Sequence, residues 1–529
     1  MLAGQLTPFF CEEVVPGDTF KLRTEFLIRA MPLIAPIMHR INVFTYYFFV
    51  PNRLIYDNWE PFITGGVDGK SGNVPPAYFN YHWFSKEQAA QYFKPGSLYD
   101  YLGFPCPTKE HLAKWPTEPP KTDIESMRFS AMPFNAYLKI YQDYFIDETL
   151  TQENLRMVTG GGLISDISSY NSLLNIRLKK WEKDYFTSAL PWPQRGGDVT
   201  LPIDGQFEVK MNKGNGNVPI VRTNSVPSHP AFGSGVDLVT SDGGRLHGNN
   251  GLDGVLDPNG TLYADLGDPV NGSSNSLVTI NDLRRASKLQ RWLEINATGG
   301  SRYIEQIFSH FGVKSSDARL QRAEFLGGGR NPILIDDVIQ TSASESNGTP
   351  QANLAGRATA AGSNHAFKRF FEEHGWVIGI MCIVPKPTYQ QGLRRQFTRF
   401  DKLDYYWPEF ARIGEQEIKN KEIYLPFETV GSANNNTGEE VFGYTPRYAD
   451  YKYIPSSVHG DLLDTLEFWH LGRKFSSPPN LNGNFISVFP SDVSRVFAVQ
   501  DTTNSQFVVQ IYNQLIAKRP MPKYGTPML

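Results

Sequence analysis

The chain has 529 residues, of which 51 are Lys or Arg and 54 are Asp or Glu, for a net charge of −3. This near-neutral balance excludes non-specific nucleic-acid binding over the whole surface, which needs clustered Lys and Arg, and leaves only local basic patches open. Aromatic residues make up 13% of the chain and favour strands and large contact surfaces over a helical bundle. The three cysteines lie far apart and argue against a disulfide framework or a structural zinc site.

The first predicted elements are strands. Residues 20–30 alternate apolar and polar side chains, which is typical of a half-buried strand. Residues 41–50 are apolar on both faces, so a second sheet or a neighbouring subunit must cover both sides. Residues 376–384 have the same character and are too short to cross a bilayer. Together these segments predict an all-β framework dominated by long-range pairing, with no membrane insertion and no export signal at its N-terminus.

Helical patterns interrupt this framework. Residues 126–145 have helical periodicity broken by Pro133, and residues 301–311 form a shorter pattern. The clearest helix starts at a Thr279 or Asn281 cap, and one of its faces is apolar. The apolar face is formed by Leu283, Ala286, Leu289 and Leu293, and the opposite, basic face by Arg284, Lys288 and Arg291.

The segment 196–276 differs sharply in composition. It holds 15 of the 46 glycines and four basic residues against nine acidic ones. Its Gly and Asn motifs are typical of turns, because these residues tolerate positive φ angles. We therefore interpret the segment as a surface insertion, called the excursion, that leaves the core fold and returns to it. The small-residue stretch 341–364 is interpreted as a second, flexible surface loop.

Signatures of catalysis are missing from the sequence. The glycine-rich residues 325–330 lack the Lys-Ser/Thr of a phosphate-binding loop and are expected to form a turn. No His-Glu-x-x-His, Gly-x-Ser-x-Gly or calcium-loop spacing occurs. Hence no catalytic, cofactor or metal site is predicted. The pairs Glu372–Glu373 and Glu415–Glu417 leave an alternative open, a secreted-type β-sandwich that binds carbohydrate or hydrolyses glycosides.

Basic and aromatic residues interleave in residues 393–407. Arginine can pair with phosphates while aromatic rings stack on unpaired bases, so this segment and the basic C-terminus are candidates for facing nucleic acid or a neighbouring subunit. The candidate residues are Arg394, Arg395, Arg399, Lys402, Lys518, Arg519 and Lys523.

Three stretches of the chain, residues 8–66, 283–342 and 389–418, resemble the major capsid proteins of the Microviridae, and the gokushovirus branch in particular. The resemblance implies a viral jelly roll, an eight-stranded antiparallel β-sandwich with large loop and helical insertions. It also implies a structural protein without enzymatic activity, sixty copies of which form a T=1 shell around single-stranded DNA.

The same resemblance assigns roles along the chain. The jelly-roll core would be formed by residues 1–195, which include an N-terminal arm, and by residues 277–529, which include the basic tail. Residues 196–276 would form the threefold protrusion that meets a bacterial receptor. Its expected receptor-facing residues are Asp242, Arg245, Asp257, Asn259 and Tyr263. The implied partners are an internal scaffolding protein, a small basic DNA-binding protein and a minor pilot protein. Assembly would take place in the host bacterial cytoplasm, and the product would be the virion capsid.

Overall fold

The computed structural model describes residues 1–66, 74–151, 153, 155–197, 199, 280–300, 302–314, 316, 320–339, 354–427, 438–499 and 505–522. In residues 201–279 it describes backbone strands alone. The chain divides into two compact units, a main unit of Met1–Arg195 with Leu293–Leu529 and a second unit of Gly196–Trp292.

Strands are the principal elements of the fold. In chain order they are β1 (Thr7–Val14), β2 (Thr19–Ala30), β3 (Ile41–Pro51), β4 (Tyr78–Asn80), β5 (Arg128–Ser130), β6 (Phe207–Lys213), β7 (Val221–Arg222), β8 (Leu238–Ser241), β9 (Arg245–Gly248), β10 (Val255–Leu256), β11 (Leu262–Pro269), β12 (Glu324–Pro332), β13 (Leu334–Ile339), β14 (Leu354–Phe370), β15 (Gly375–Pro385), β16 (Glu415–Lys419), β17 (Val441–Pro446) and β18 (Phe507–Lys518).

The α-helices of the described residues are mostly short. They are α1 (Trp59–Thr64), α2 (Lys86–Tyr92), α3 (Leu98–Tyr101), α4 (Lys109–Lys114), α5 (Met132–Tyr144), α6 (Ile167–Leu174), α7 (Ile280–Gly299), α8 (Tyr303–Phe311), α9 (Ala449–Lys452), α10 (Gly483–Ile486) and α11 (Ser491–Ser494). Among the described residues, no helix is both long and apolar enough to cross a membrane.

Two four-stranded antiparallel sheets organise the main unit. The first, called the covered sheet, has the order β1-β15-β3-β12. The second, called the open sheet, has the order β13-β14-β2-β18. Apart from the consecutive strands β13 and β14, neighbours in both sheets come from distant parts of the chain, so long-range pairing builds most of the fold, as the sequence predicts.

The two sheets pack face to face around apolar side chains. The strand prediction for residues 20–30 is confirmed, because the alternate residues Phe20, Leu22, Phe26 and Ile28 of β2 are buried. They share clusters with residues of the covered sheet, which include Tyr47, Phe49, Val377, Met381 and Ile383.

A layer of helices packs on the other face of the covered sheet. Phe48 of β3 and Ile378, Ile380 and Cys382 of β15 belong to one large apolar cluster with α2, α3, α5 and α6. Both faces of β3 and β15 are therefore buried, as their sequences predict. The cover comes from a second sheet and from helices of the same chain, so these strands need no neighbouring subunit.

One sequence-based loop prediction is wrong, and a second is wrong in the part of the loop that the structure describes. The glycine-rich residues 325–330 form part of β12 instead of a turn. The glycines are needed because the strand passes close to its neighbours: a Cβ at Gly328 would lie 2.5 Å from the carbonyl oxygen of Thr45. Residues 354–364 of the expected flexible loop form most of β14, and a Cβ at Gly362 would overlap the ring of Phe26. Residues 340–353 lie outside the described residues.

The helical predictions hold with shifted boundaries. Pro133 lies in the first turn of α5 and does not interrupt it, because proline is compatible with a position whose amide has no helical partner. The pattern at 301–311 corresponds to α8, which ends at Gly312 in a left-handed conformation with φ of 68°. Helix α7 forms as predicted, but Leu283 and Leu289 of its expected apolar face are about half exposed.

The second unit contains short antiparallel pairs, β6 with β11, β7 with β10 and β8 with β9. The three cysteines of the chain are all free, in line with the absence of a disulfide framework. Burial raises the pKa of the Cys382 thiol to about 11 and that of Cys11 to about 12, so both stay protonated at neutral pH.

Candidate assembly surface

The arginines that the sequence singles out are bound within their own chain. Arg395 donates from Nη1 to the backbone carbonyl of Glu417 at 2.6 Å and lies 3.4 Å from the carboxylate of Glu422. Burial raises the pKa of Glu422, and Arg395 counteracts that shift. Tyr185 donates its hydroxyl to the same carboxylate at 2.9 Å. The guanidinium of Arg395 thus compensates a buried acid, and its charge is not free for a phosphate.

Arg399 forms a second internal pair, with Asp450. Both side chains are nearly buried, at 11% and 10% exposure, and the guanidinium lies 4.0 Å from the centre of the Tyr451 ring. Gln416 donates to the other oxygen of Asp450 at 3.0 Å. Arg394 donates to the carbonyl of Pro455 at 3.0 Å. Of the four basic residues between 394 and 402, Lys402 alone is exposed.

The aromatic residues next to these arginines point outward. Phe400 is 90% exposed, and the other large apolar side chains between residues 397 and 413 are exposed to lesser degrees. This aromatic segment contains Phe397, Phe400, Leu403, Tyr405, Tyr406, Trp407, Phe410 and Ile413. Patches of this kind mark interaction sites, because monomeric soluble proteins rarely expose so many apolar side chains together.

Hydrogen bonds within the aromatic segment fix its conformation. The carboxylate of Asp404 accepts the backbone amides of Asp401 and Phe400 at 2.9 and 3.0 Å. These two amides lower the pKa of Asp404, so the capping contact persists over the neutral pH range. The Trp407 indole donates to the carbonyl of Lys402 at 2.9 Å. The segment is therefore a pre-formed surface, which reduces the entropy that a partner must offset on binding.

The remaining basic candidates lie in separate places. Lys518 is exposed at the end of β18, whereas Arg519 donates to the carbonyl of Glu13 at 2.8 Å and approaches the buried carboxylate of Asp18. Lys523 lies outside the described residues. On α7, all three predicted basic residues, Arg284, Lys288 and Arg291, are exposed.

The expected receptor-facing residues lie in the second unit. Arg245 belongs to β9 and Tyr263 to β11. Asp242, Asp257 and Asn259 lie outside the described residues.

The two residues of the main unit that flank the second unit in sequence, Arg195 and Leu293, contact each other. The backbone amide of Arg195 donates to the carbonyl of Leu293 at 3.4 Å. Its side chain donates to the carbonyl of Gly300, also at 3.4 Å. Arg302, two residues further, donates to the carbonyls of Gln142 and Ile146 at the end of α5. The main unit thus brings the residues before and after the second unit together, close to the end of α5.

The acidic pairs of the carbohydrate alternative do not form a catalytic pair in the described residues. Glu373 is paired with Arg53 at 2.7 Å, and Glu417 is exposed. Burial, and then the charge of Glu294, raise the pKa of Glu415 to about 7. Among the described residues, no group of three or more His, Cys, Asp or Glu side chains is placed to hold a metal ion.

Comparison with known proteins gives a consistent result. The family model described as capsid protein (F protein) matches residues 1–529. The chain is 37% identical to capsid protein VP1 of Chlamydia phage 1 and 36% identical to capsid protein VP1 of Bdellovibrio phage phiMH2K. It is 31% identical to capsid protein VP1 of Spiroplasma virus 4. Each similarity covers 99% of this chain and 92% of the relative.

Proposed function

The chain belongs to the capsid protein (F protein) family of the Microviridae, and from this premise we propose that sixty copies of it form a T=1 icosahedral shell around a single-stranded DNA genome. It is a major capsid protein, and as a structural protein it is not an enzyme. The alternative of a carbohydrate-binding or glycoside-hydrolysing β-sandwich is therefore excluded.

The fold proposed for the shell is a viral jelly roll. Its eight strands would be β1, β2, β3, β12, β13, β14, β15 and β18. Two antiparallel four-stranded sheets packed face to face support this proposal, and the helices would be insertions between strands.

The observation that carries the assembly proposal is the exposed aromatic segment. Its partner is a second copy of the chain, because a closed shell requires each subunit to bury several surfaces against identical neighbours. Trp, Tyr and Phe are enriched in such interfaces, and the segment exposes several of these rings close to one another in sequence. Arg394, Arg395 and Arg399 hold this surface in shape through their internal contacts.

Replacing Phe400 tests this proposal. Phe400→Ser removes an exposed ring, so the free energy of unfolding should change by no more than about 0.5 kcal/mol. Assembly should nevertheless fail, because a buried apolar anchor can contribute about 2 kcal/mol or more to the binding free energy of each subunit contact. Negative-stain electron microscopy and size-exclusion chromatography of the variant, with and without the scaffolding partner, measure the outcome.

The matched control is Phe400→Leu, which keeps an apolar side chain at the same position. We expect this variant to form shells with a yield near that of the natural protein. Normal shells from Phe400→Ser would contradict the proposed role of the segment. A natural chain that stays monomeric even with its scaffolding partner would contradict the capsid assembly itself.

The proposed role of residues 196–276 is host attachment. Projecting at the threefold axes, this acidic and glycine-rich segment would contact a bacterial surface receptor through the region of Asp242, Arg245, Asp257, Asn259 and Tyr263. The contact between Arg195 and Leu293, which flank the second unit of Gly196–Trp292, supports this role, since a unit inserted between two neighbouring residues of the main unit can vary without disturbing the core.

The proposed partners are those that the resemblance to this family implies, and the charge of the chain supports one of them. A subunit with a net charge of −3 does not neutralise a DNA genome on its own, which supports a small basic DNA-binding protein inside the shell. An internal scaffolding protein and a minor pilot protein complete the proposed assembly, which takes place in the host bacterial cytoplasm.

A further inference from the structure

The outer face of the open sheet is exposed in the part of the chain that the structure describes, and it is positively charged. It is the face directed away from the covered sheet, and the side chains of β2 and β18 on it are exposed at alternate positions. Six basic residues lie on it, against two acidic ones in a chain whose total charge is negative. The basic residues are Lys21, Arg23, Arg29, Arg357, Lys368 and Lys518, and the acidic ones Glu25 and Asp336.

The arrangement of these charges is unfavourable for the isolated chain. Lys21 and Lys368 lie directly opposite each other on β2 and β14, and Lys518 lies opposite Thr19, the next outward position of β2. Like charges directly opposite on paired strands destabilise a sheet. Glu25 is paired with Arg23 at 2.9 Å, so it does not neutralise the lysines. A bound polyanion would remove this repulsion.

Apolar and aromatic side chains are interspersed among the charges. Tyr512 of β18 is 60% exposed and lies opposite Glu25, while Phe370 of β14 lies opposite Thr19 and is also exposed. Basic side chains combined with exposed rings are the means by which proteins bind unpaired nucleic-acid strands, since the rings stack on bases and the cations contact phosphates. An acidic protein segment would not need the rings.

The position of this face in the main unit agrees with an inward orientation. The open sheet packs on one side of the covered sheet, and α5 packs on the other. Arg195, the last residue of the main unit before the proposed receptor-binding segment, donates to the carbonyl of Gly300, and Arg302, two residues further, binds the carbonyl of Gln142 on α5. If that side faces outward in the shell, the open sheet faces the interior. This step depends on the proposed function.

We propose that the outer face of the open sheet binds the single-stranded DNA inside the shell. Lys21, Lys368 and Lys518 contact phosphates at one end of the face and Arg29 at the other, roughly 26 Å away along β2 at the rise of an extended strand. Tyr512 and Phe370 stack on bases. The arginines at 394–399, which the sequence suggested for this role, are held by their own chain instead.

The test uses the unassembled full-length chain and a fluorescein-labelled oligothymidylate. Fluorescence anisotropy measured over a range of salt concentrations gives the affinity and its salt slope. Replacing Lys21, Lys368 and Lys518 together with Gln should weaken binding and reduce the salt slope by about 2, since each phosphate contact on a single strand contributes about 0.7. Tyr512→Ala should weaken binding about tenfold with an unchanged slope, because stacking releases no counterions.

The matched control replaces Lys94, Lys109 and Lys114 with Gln, three exposed lysines that lie outside both sheets. It removes the same charge and should leave affinity and slope unchanged. An equal loss in the control, or competition by polyglutamate as strong as that by unlabelled oligothymidylate, would overturn the proposal. Thermal unfolding of each variant excludes misfolding, and replacement of the three lysines with Arg should retain binding. If the chain binds the oligothymidylate but forms no shells, the assembly proposal is contradicted while this inference is supported.

Discussion

Phe48 and Phe49 are consecutive residues of β3, and both are buried although their side chains point in opposite directions. The ring of Phe48 lies 4.7 Å from that of Tyr144 on α5, within the helical layer. The ring of Phe49 lies 4.9 Å from that of Phe371, in the core between the two sheets. A single strand thus belongs to two cores, which explains why its sequence has no polar face.

This relationship predicts equal sensitivity on both faces of β3. Phe48→Ala and Phe49→Ala should each reduce the free energy of unfolding by about 3 to 5 kcal/mol, because each leaves a cavity in a packed core. Urea denaturation of the unassembled chain measures the loss. The contrast is the pair Phe26 and Leu27 on β2, where Phe26→Ala should be as costly and Leu27→Ala nearly neutral. A mild effect at either position of β3 would refute burial of that face.

The buried pair of Arg399 and Asp450 predicts a defect of stability and not of DNA binding. Arg399→Gln leaves the carboxylate of Asp450 without its cation, and removal of one partner of a buried pair costs about 3 to 5 kcal/mol. Chemical denaturation should show this loss, while Lys402→Gln, at an exposed position, should be neutral. If Arg399→Gln were stable yet failed to bind oligothymidylate, the segment would face DNA after all.

Glu415 predicts a pH dependence of stability. Its pKa in the folded chain is raised to about 7, first by burial and then by Glu294, from an ordinary value of 4.5. The folded state therefore favours the protonated acid, so this contribution is complete below pH 4.5 and is lost as pH rises toward 7. Atom Oε2 of Glu415 has no hydrogen-bond partner among the described residues, which agrees with an unfavourable charge at this position.

Melting temperatures measured from about pH 5 to about pH 8 test this expectation, because this range spans the shifted pKa of Glu415. The natural chain should lose stability over this range, and Glu415→Gln should lose less because its side chain does not titrate. Glu417→Gln, at an exposed position on the same strand, serves as the control and should behave like the natural chain. Identical pH profiles for Glu415→Gln and the natural chain would assign the dependence to other groups.

The junction between Arg195 and Leu293 predicts that the excursion can be shortened. Replacing residues 196–276 with a glycine-rich linker that reaches α7 should leave shell assembly intact, because the segment belongs to a second compact unit whose flanking residues, Arg195 and Leu293, contact each other in the main unit. Attachment of the shells to host cells, measured by co-sedimentation beside natural shells, should be lost. Absence of shells in the shortened chain would show instead that the segment takes part in assembly.

The sequence by itself determined the features that repeat over a few residues. The alternation in β2, the two-sided apolar runs of β3 and β15, and helices α5, α7 and α8 follow from local periodicity, because side-chain direction repeats with period 2 in strands and 3.6 in helices. The long resemblance to capsid proteins likewise needed no structure. Local periodicity did not predict the glycine-rich strand β12, because Gly328 is required by the close approach of the Thr45 carbonyl on the neighbouring strand and not by a local turn.

Only the tertiary structure decided which charges are available. Arg395 and Arg399 look like a phosphate-binding cluster until the fold brings Glu422 and Asp450 against them from 27 and 51 residues away. Conversely, Lys21, Lys368 and Lys518 are scattered in the sequence and become one basic face only when β2, β14 and β18 pair. Charge acts through space, so its partners are set by long-range strand pairing that no local pattern encodes.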